Sequence, residues 1–152
     1  MGILSFIFGK NDNQSAIGKQ VKLRAEEFVV SYGEKYKGLD YSVQSLTELD
    51  YLLGELKSWV DLSDDERNGI ITNAASYILW VAKQQYNSIF YWSEKHAQPV
   101  LVIGEPDYRI ALIAQDKVLN RIEKKDSDIR TFYNKLKDSV QTATRGSDLL
   151  IS

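Results

Sequence analysis

From Gln98 to Ile103 the chain reads QPVLVI, and after the glutamine every side chain is apolar. A strand turns successive side chains to opposite faces. Such a strand needs cover on both sides and belongs in the interior of a sheet. Its neighbours narrow the choice. Upstream, residues 87–93 contain SIFYWS, which as a strand sets Ile89 and Tyr91 on one face and Phe90 and Trp92 on the other. Downstream, the turn signal Gly104-Glu105-Pro106-Asp107 leads into residues 108–114, where Tyr108, Ile110 and Leu112 alternate with Arg109, Ala111 and Ile113. The connections are too short for parallel crossovers, so these segments predict a three-stranded antiparallel meander.

Helical patterns flank the meander on both sides. After a polar break at residues 9–14, Ile17, Val21, Ala25, Phe28 and Tyr32 mark one face of a helix, with Gly33 and Gly38 near its end. Val43, Leu46, Leu49, Leu53, Leu56 and Val60 mark a second, which Ser42 or Ser45 can cap. Ser45 and Glu48 have capping-box spacing, whereas Gly54 weakens the pattern. Ser63 and Glu66 form another capping box, with Asp64 and Asp65 where a helix dipole favours acids. That helix runs to about Gln85 and is apolar almost all round over AASYILWVA, which predicts a central position. Beyond the meander, Val118, Leu119 and Ile122 form a short stripe, and Ile129, Phe132, Tyr133, Leu136 and Val140 a longer one. Lys124-Lys125-Asp126-Ser127 can divide them, Asp126 or Ser127 acting as cap. One continuous helix also fits, because Ile122 and Ile129 keep helical phase. The tail TRGSDLLIS is expected to fray.

Helices, then a meander, then helices is an α+β order. The expected organisation is an N-terminal segment over 1–14, a single α+β domain over 15–144 and a tail over 145–152. The helices before the sheet are expected to cover one face, and the C-terminal helices to pack on the other.

The length of 152 residues suits one domain. A net charge of −2, with scattered lysines and arginines, provides no field for nucleic acid. The absence of cysteine excludes disulfides, thiolate metal sites and a cysteine nucleophile, and fits a reducing cytoplasm. The N-terminus MGILSFIFGK, apolar at Ile3, Leu4, Phe6, Ile7 and Phe8, lacks the basic start of a signal peptide. Phe6 stands where a myristoylation signal wants Ser or Thr. The segment is expected to dock on the body of the protein, with an interfacial or partner-binding anchor as the sharper alternative. No stretch approaches the roughly 20 apolar residues of a membrane span.

Little points to catalysis. The single histidine, His96, lies in the polar connection SEKHAQ and reads as an exposed loop residue. Glu94, Glu105 and Asp107 could approach it only if successive turns met at one end of the sheet. The acids of residues 61–66 lack calcium-loop spacing and are explained by helix capping, so no metal and no cofactor are expected. No glycine-flanked nucleophile or phosphate loop is present. Phe90, Tyr91 and Trp92 lack the basic flanks of a single-strand-binding sheet, and core packing accounts for them better.

The runs SLTELDYLL, IFYW, QPVLVIGEPDYRI and DKVLNRI, within residues 42–123, resemble a family of small, uncharacterised bacterial proteins. Its members carry a Gly-Glu pair inside the central helix; here Tyr77-Ile78-Leu79 stands there instead. The resemblance implies a bacterial, cytoplasmic α+β domain and transfers no catalytic residue. Small acidic proteins of this type are often immunity partners that block a toxin by binding it. The sequence therefore predicts a non-enzymatic protein-binding module. Its aromatic anchors would be drawn from Tyr36, Tyr41 and Tyr51, and its acidic rim from Glu48, Asp50 and Glu55. One alternative is a ligand-binding or enzymatic domain with a pocket near Trp80, Trp92, Tyr108 and His96. Another is a subunit that self-associates through a sheet face or the N-terminal segment.

Overall fold

The computed structural model describes residues 7–8, 11–56, 58–124 and 128–152. In chain order the elements are β1 (Ile7–Phe8), α1 (Asn11–Tyr32), α2 (Ser45–Gly54), a 3-10 turn (Trp59–Asp61), α3 (Asp64–Gln85), β2 (Ser88–Ser93), β3 (Gln98–Ile103), β4 (Arg109–Leu112), α4 (Gln115–Glu123), α5 (Ile129–Thr142) and β5 (Asp148–Ile151). The class is α+β. None of these helices is long and apolar enough to cross a membrane. Of the apolar N-terminal stretch, Ile7 and Phe8 form β1, and Ile3, Leu4 and Phe6 lie outside the described residues.

The strongest local signals give the expected elements. Ser63 caps α3, its hydroxyl accepting the Glu66 amide at 3.2 Å, and the helix ends at Gln85. From Ala74 to Ala82 only Trp80 is not buried. The meander is present: Ser88 pairs with Ile103 through Ser93 with Gln98, and Leu101 to Ile103 pair with Leu112 to Ile110, both antiparallel. Within β3, Val100, Leu101, Val102 and Ile103 are all 0–2% exposed.

The meander is the centre of a larger, mixed sheet. Its five strands run in the order β1-β2-β3-β4-β5, with β1 antiparallel to β2 and β5 parallel to β4. The tail expected to fray thus forms β5. Gly146, at φ +88°, turns the chain after α5, its amide reaching the Asp107 carbonyl at 2.8 Å. The Arg109 amide then bonds to the Ser147 carbonyl, and Ile151 is buried against the core. A parallel addition needs a crossover, which α4 and α5 supply. They are separate helices. Asp128 caps α5, its carboxylate accepting the Thr131 amide at 2.5 Å. Asp126 and Ser127, the caps read from the sequence, lie outside the described residues. At the other end, α1 already begins at Asn11, inside the segment read as a polar break.

The helices do not divide between the sheet faces. Phe90, Leu101, Ile103, Ile110, Leu112 and Ile151 share one core cluster with buried side chains from all five helices. Val100, Val102, Ala111 and Ile113 form a second cluster on the opposite face, joined by Tyr91 and Leu150 from the sheet and, among the described residues, by no helical side chain. Helices before and after the meander therefore pack on the same face. A stripe shows that a helix is buried, but not which side of the sheet buries it. The register accounts for SIFYWS: Phe90 meets the helices, while Tyr91 pairs with Val100 on the second face.

Two turns impose backbone demands. Gly104 sits at φ +98°, and a Cβ there would lie 2.1 Å from the Tyr108 ring, so a side chain is excluded on both counts. In the β2–β3 hairpin Ala97 takes φ +51°. A left-handed conformation costs an L-residue roughly 1–2 kcal/mol. Ala97→Gly is expected to stabilise the fold by about 0.5–1 kcal/mol in urea denaturation, with an unchanged m-value.

Candidate protein-binding surface

Residues 33–44 carry the chain from α1 to α2 through successive turns. The Gly33 amide bonds to Val29 O at 2.7 Å, Tyr36 to Tyr32 O at 2.9 Å and Asp40 to Gly38 O at 3.0 Å. Tyr36 and Leu39, each 6% exposed, pin this connection to the core. Asp40 Oδ1 accepts both the Ser42 amide at 3.1 Å and the Ser42 hydroxyl at 2.5 Å, and these bonds hold its carboxyl below the usual range. Ser42 Oγ accepts the Ser45 amide at 3.1 Å, so Ser42 organises the entry to α2. Ser45 does not cap: its hydroxyl donates back to the Ser42 carbonyl at 2.6 Å.

On α2, Glu48, Tyr51 and Glu55 follow at helical spacing and lie on one side. Tyr51 is 59% exposed and meets Tyr36 edge-on, the ring centroids 6.3 Å apart. Tyr36 donates its hydroxyl to Glu55 Oε2 at 2.7 Å. That bond, with burial adding to it, pushes the phenol up to about 12. The Tyr51 phenol is also raised, chiefly by its own hydrogen bond to Glu55. Both rings thus present neutral hydroxyls to one carboxylate. Lys35 Nζ stands 5.2 Å from the Tyr36 ring centre. Beside this pair, Gly38, Asp40, Ser42, Gln44, Thr47 and Glu48 line an open cavity of about 350 Å³, with the Glu48 side chain against Gly38. Arg130 Nη1 donates to Thr47 Oγ1 at 2.6 Å at its edge.

This is a surface of hydrogen-bond acceptors around an aromatic step. It suits a cationic, partly apolar contact. Among the described residues no group of three or more His, Asp or Glu side chains could hold a metal.

The candidate residues fall into three sets. Glu48, Tyr51, Glu55 and Tyr36 come together, with Tyr36 as a buried support under Tyr51. Asp50 points the other way and joins α2 to α4 and α5: Arg121 Nε and Nη2 donate to its two carboxylate oxygens at 2.8 and 3.3 Å, and the Ile129 amide donates to Oδ1 at 2.8 Å. Tyr41, at φ +65°, stacks on Tyr77 with centroids 5.4 Å apart. The residues of the pocket alternative sit on separate elements. Trp80 lies on α3, Trp92 is on β2, and Tyr108 leans over Gly104. His96 is in the β2–β3 hairpin, its amide donating to Ser93 Oγ at 3.2 Å. Successive hairpin turns sit at opposite ends of the meander, so Glu105 and Asp107 are a strand length from His96. Glu105 instead accepts the Tyr91 hydroxyl at 2.7 Å.

One exposed apolar feature was overlooked in the sequence. Leu23 and Val30 on α1 are 55% and 82% exposed, beside Glu26, Glu27 and Asn73. Their signal was available: both are large apolar residues outside the stripe of Ile17, Val21, Ala25, Phe28 and Tyr32.

No family model matches the chain, and neither the curated proteins nor the solved structures yield a match.

Proposed function

We propose that the protein is a non-enzymatic, protein-binding module of the bacterial immunity type, which neutralises a toxin or effector by occluding its working surface. The observation that carries this reading is the exposed Tyr51 set edge-on against the buried Tyr36, with Glu55 bonded to Tyr36 and Glu48 beside the pair. Exposed aromatic anchors inside a polar rim are what dominate protein interfaces. The acids favour a partner with Lys or Arg at the matching positions and speed encounter through charge complementarity. Glu105 and Asp107 lie at the end of the meander away from His96, which weakens the enzymatic alternative.

The test is a paired capture from the source cell at physiological salt, with the wild-type chain and with Tyr51→Ala and Glu48→Lys as baits. Tyr51 is exposed, whereas Glu48 is half-buried with its side chain along Gly38, so a thermal melt of each bait first checks that its fold is intact. The expected result is one specific partner held by wild type, with affinity lowered about thirtyfold or more by either substitution. Recovery of no partner, or equal binding by all three baits, would overturn the proposal.

A further inference from the structure

Where α1 and α3 meet the first half of β2, the rings of Trp80 and Phe90 floor an open cavity of about 390 Å³, and Lys19, Lys22 and Lys83 stand around it. No carboxylate among the described residues lines it. Lys22 Nζ lies 5.8 Å from the Trp80 ring centre and only 3.9 Å from Glu26, an exposed pair of little binding strength. Lys83 donates to the Ser88 carbonyl and so holds its ammonium at the cavity's edge. Gly18 opens the mouth from the α1 side: a Cβ there would lie 3.4 Å from Phe90 Cδ2. Glycine inside a helix weakens it by roughly 0.5–1 kcal/mol relative to alanine, and here it leaves room between helix and strand. Trp80 is half-buried, so part of its ring is open to an incoming group.

An apolar, aromatic floor with cations of one sign around it has a definite complement. We infer that this cavity binds a small amphipathic organic anion, a single carboxylate on an apolar body. The body lies against Trp80 and Phe90, and the carboxylate faces Lys19, Lys22 and Lys83. The volume is within the usual range for small-ligand sites, about 300–1,000 Å³. None of these residues belongs to the proposed protein-binding patch, so the two readings stand or fall separately.

The test titrates the full chain with octanoate, and separately with octan-1-ol, following the three indole N–H signals of Trp59, Trp80 and Trp92 by NMR. The expected result is a saturable shift of the Trp80 signal with octanoate, at an affinity about tenfold above that for the alcohol. The double variant Lys19→Gln/Lys22→Gln should weaken octanoate about tenfold. Gly18→Leu, which keeps every lysine, should abolish binding by filling the mouth, and Tyr51→Ala should leave it unchanged. The inference is overturned by the absence of any shift or by shifts confined to Trp59 or Trp92. Equal affinity for acid and alcohol, or affinity unmoved by the lysine and glycine variants, overturns it as well.

Discussion

Replacing Asp50 by alanine should cost the fold about 3 kcal/mol and lower its melting temperature by roughly 6–12 °C. Asp50 is the point where α2, α4 and α5 are tied together. Its carboxylate accepts a forked pair of N–H groups from Arg121 and the first free amide of α5, that of Ile129. The two side chains are 19% and 16% exposed, so neither is fully compensated by water when the other is removed. Gly54, one turn further along α2, makes the arrangement fit: a Cβ there would lie 2.8 Å from Arg121 Nη2. The controls separate the contributions. Asp50→Asn keeps an acceptor for Ile129 but gives Arg121 only a neutral oxygen, and should lose about half as much. Arg121→Met spares the amide of α5, and a double-mutant cycle of Asp50→Ala with Arg121→Met should return a coupling of about 1.5–3 kcal/mol. Urea unfolding reads all of these. A loss below about 1 kcal/mol for Asp50→Ala would place the pair among exposed ion pairs, which contribute little.

Asp50 also shows why part of the candidate surface was legible and part was not. Glu48, Tyr51 and Glu55 follow at spacings of three and four, so their common side could be read from helical period alone. Asp50 sits between them in sequence and faces elsewhere, toward a partner 71 residues away. Tyr36 joins the surface only through the turns of residues 33–44, which no periodicity encodes. The fold divides along the same line. The limits of α3 were readable because its cap and its apolar run are local, and the register of β2, β3 and β4 follows from short turns. The strand β5 was missed because DLLI gains its pairing from β4, across two helices. The placement of all helices on one face was missed for the same reason. Residues 1–6 fall outside what is described, so the expectation of a docked N-terminal segment stands where the sequence left it.

The largest effect of a single oxygen is expected at Tyr77, in the middle of α3 and fully buried. Its hydroxyl accepts the Tyr41 amide at 3.0 Å and lies 2.6 Å from Ser45 Oγ. Ser45 has one hydroxyl proton, and that proton goes to the Ser42 carbonyl. Tyr77 must therefore donate to Ser45 while accepting from Tyr41, and both capacities of the phenol are used. Burial raises its pKa, which keeps it the neutral donor this arrangement requires. The oxygen supports an unfavourable backbone: Tyr41 stands at φ +65°, a conformation bulky side chains avoid. Tyr77→Phe keeps the ring and its stacking on Tyr41, yet strands the Tyr41 amide. The expected loss is about 2–3 kcal/mol, at the upper end for an orphaned buried donor, because the strain at Tyr41 loses its counterweight. Ser45→Ala should cost less, about 1 kcal/mol, since Tyr77 can still accept from Tyr41. Hydrogen exchange gives the sharper readout. In Tyr77→Phe the Tyr41 amide should lose protection well beyond the global change in stability, and residues 38–44 should exchange by local opening. Because those residues line the cavity beside Glu48, binding of the partner should weaken in Tyr77→Phe although no contact residue has changed. Uniform loss of protection across α3 and the sheet, with residues 38–44 no more affected than the rest, would show that the hydroxyl stabilises the core at large and leaves the α1–α2 connection to other contacts.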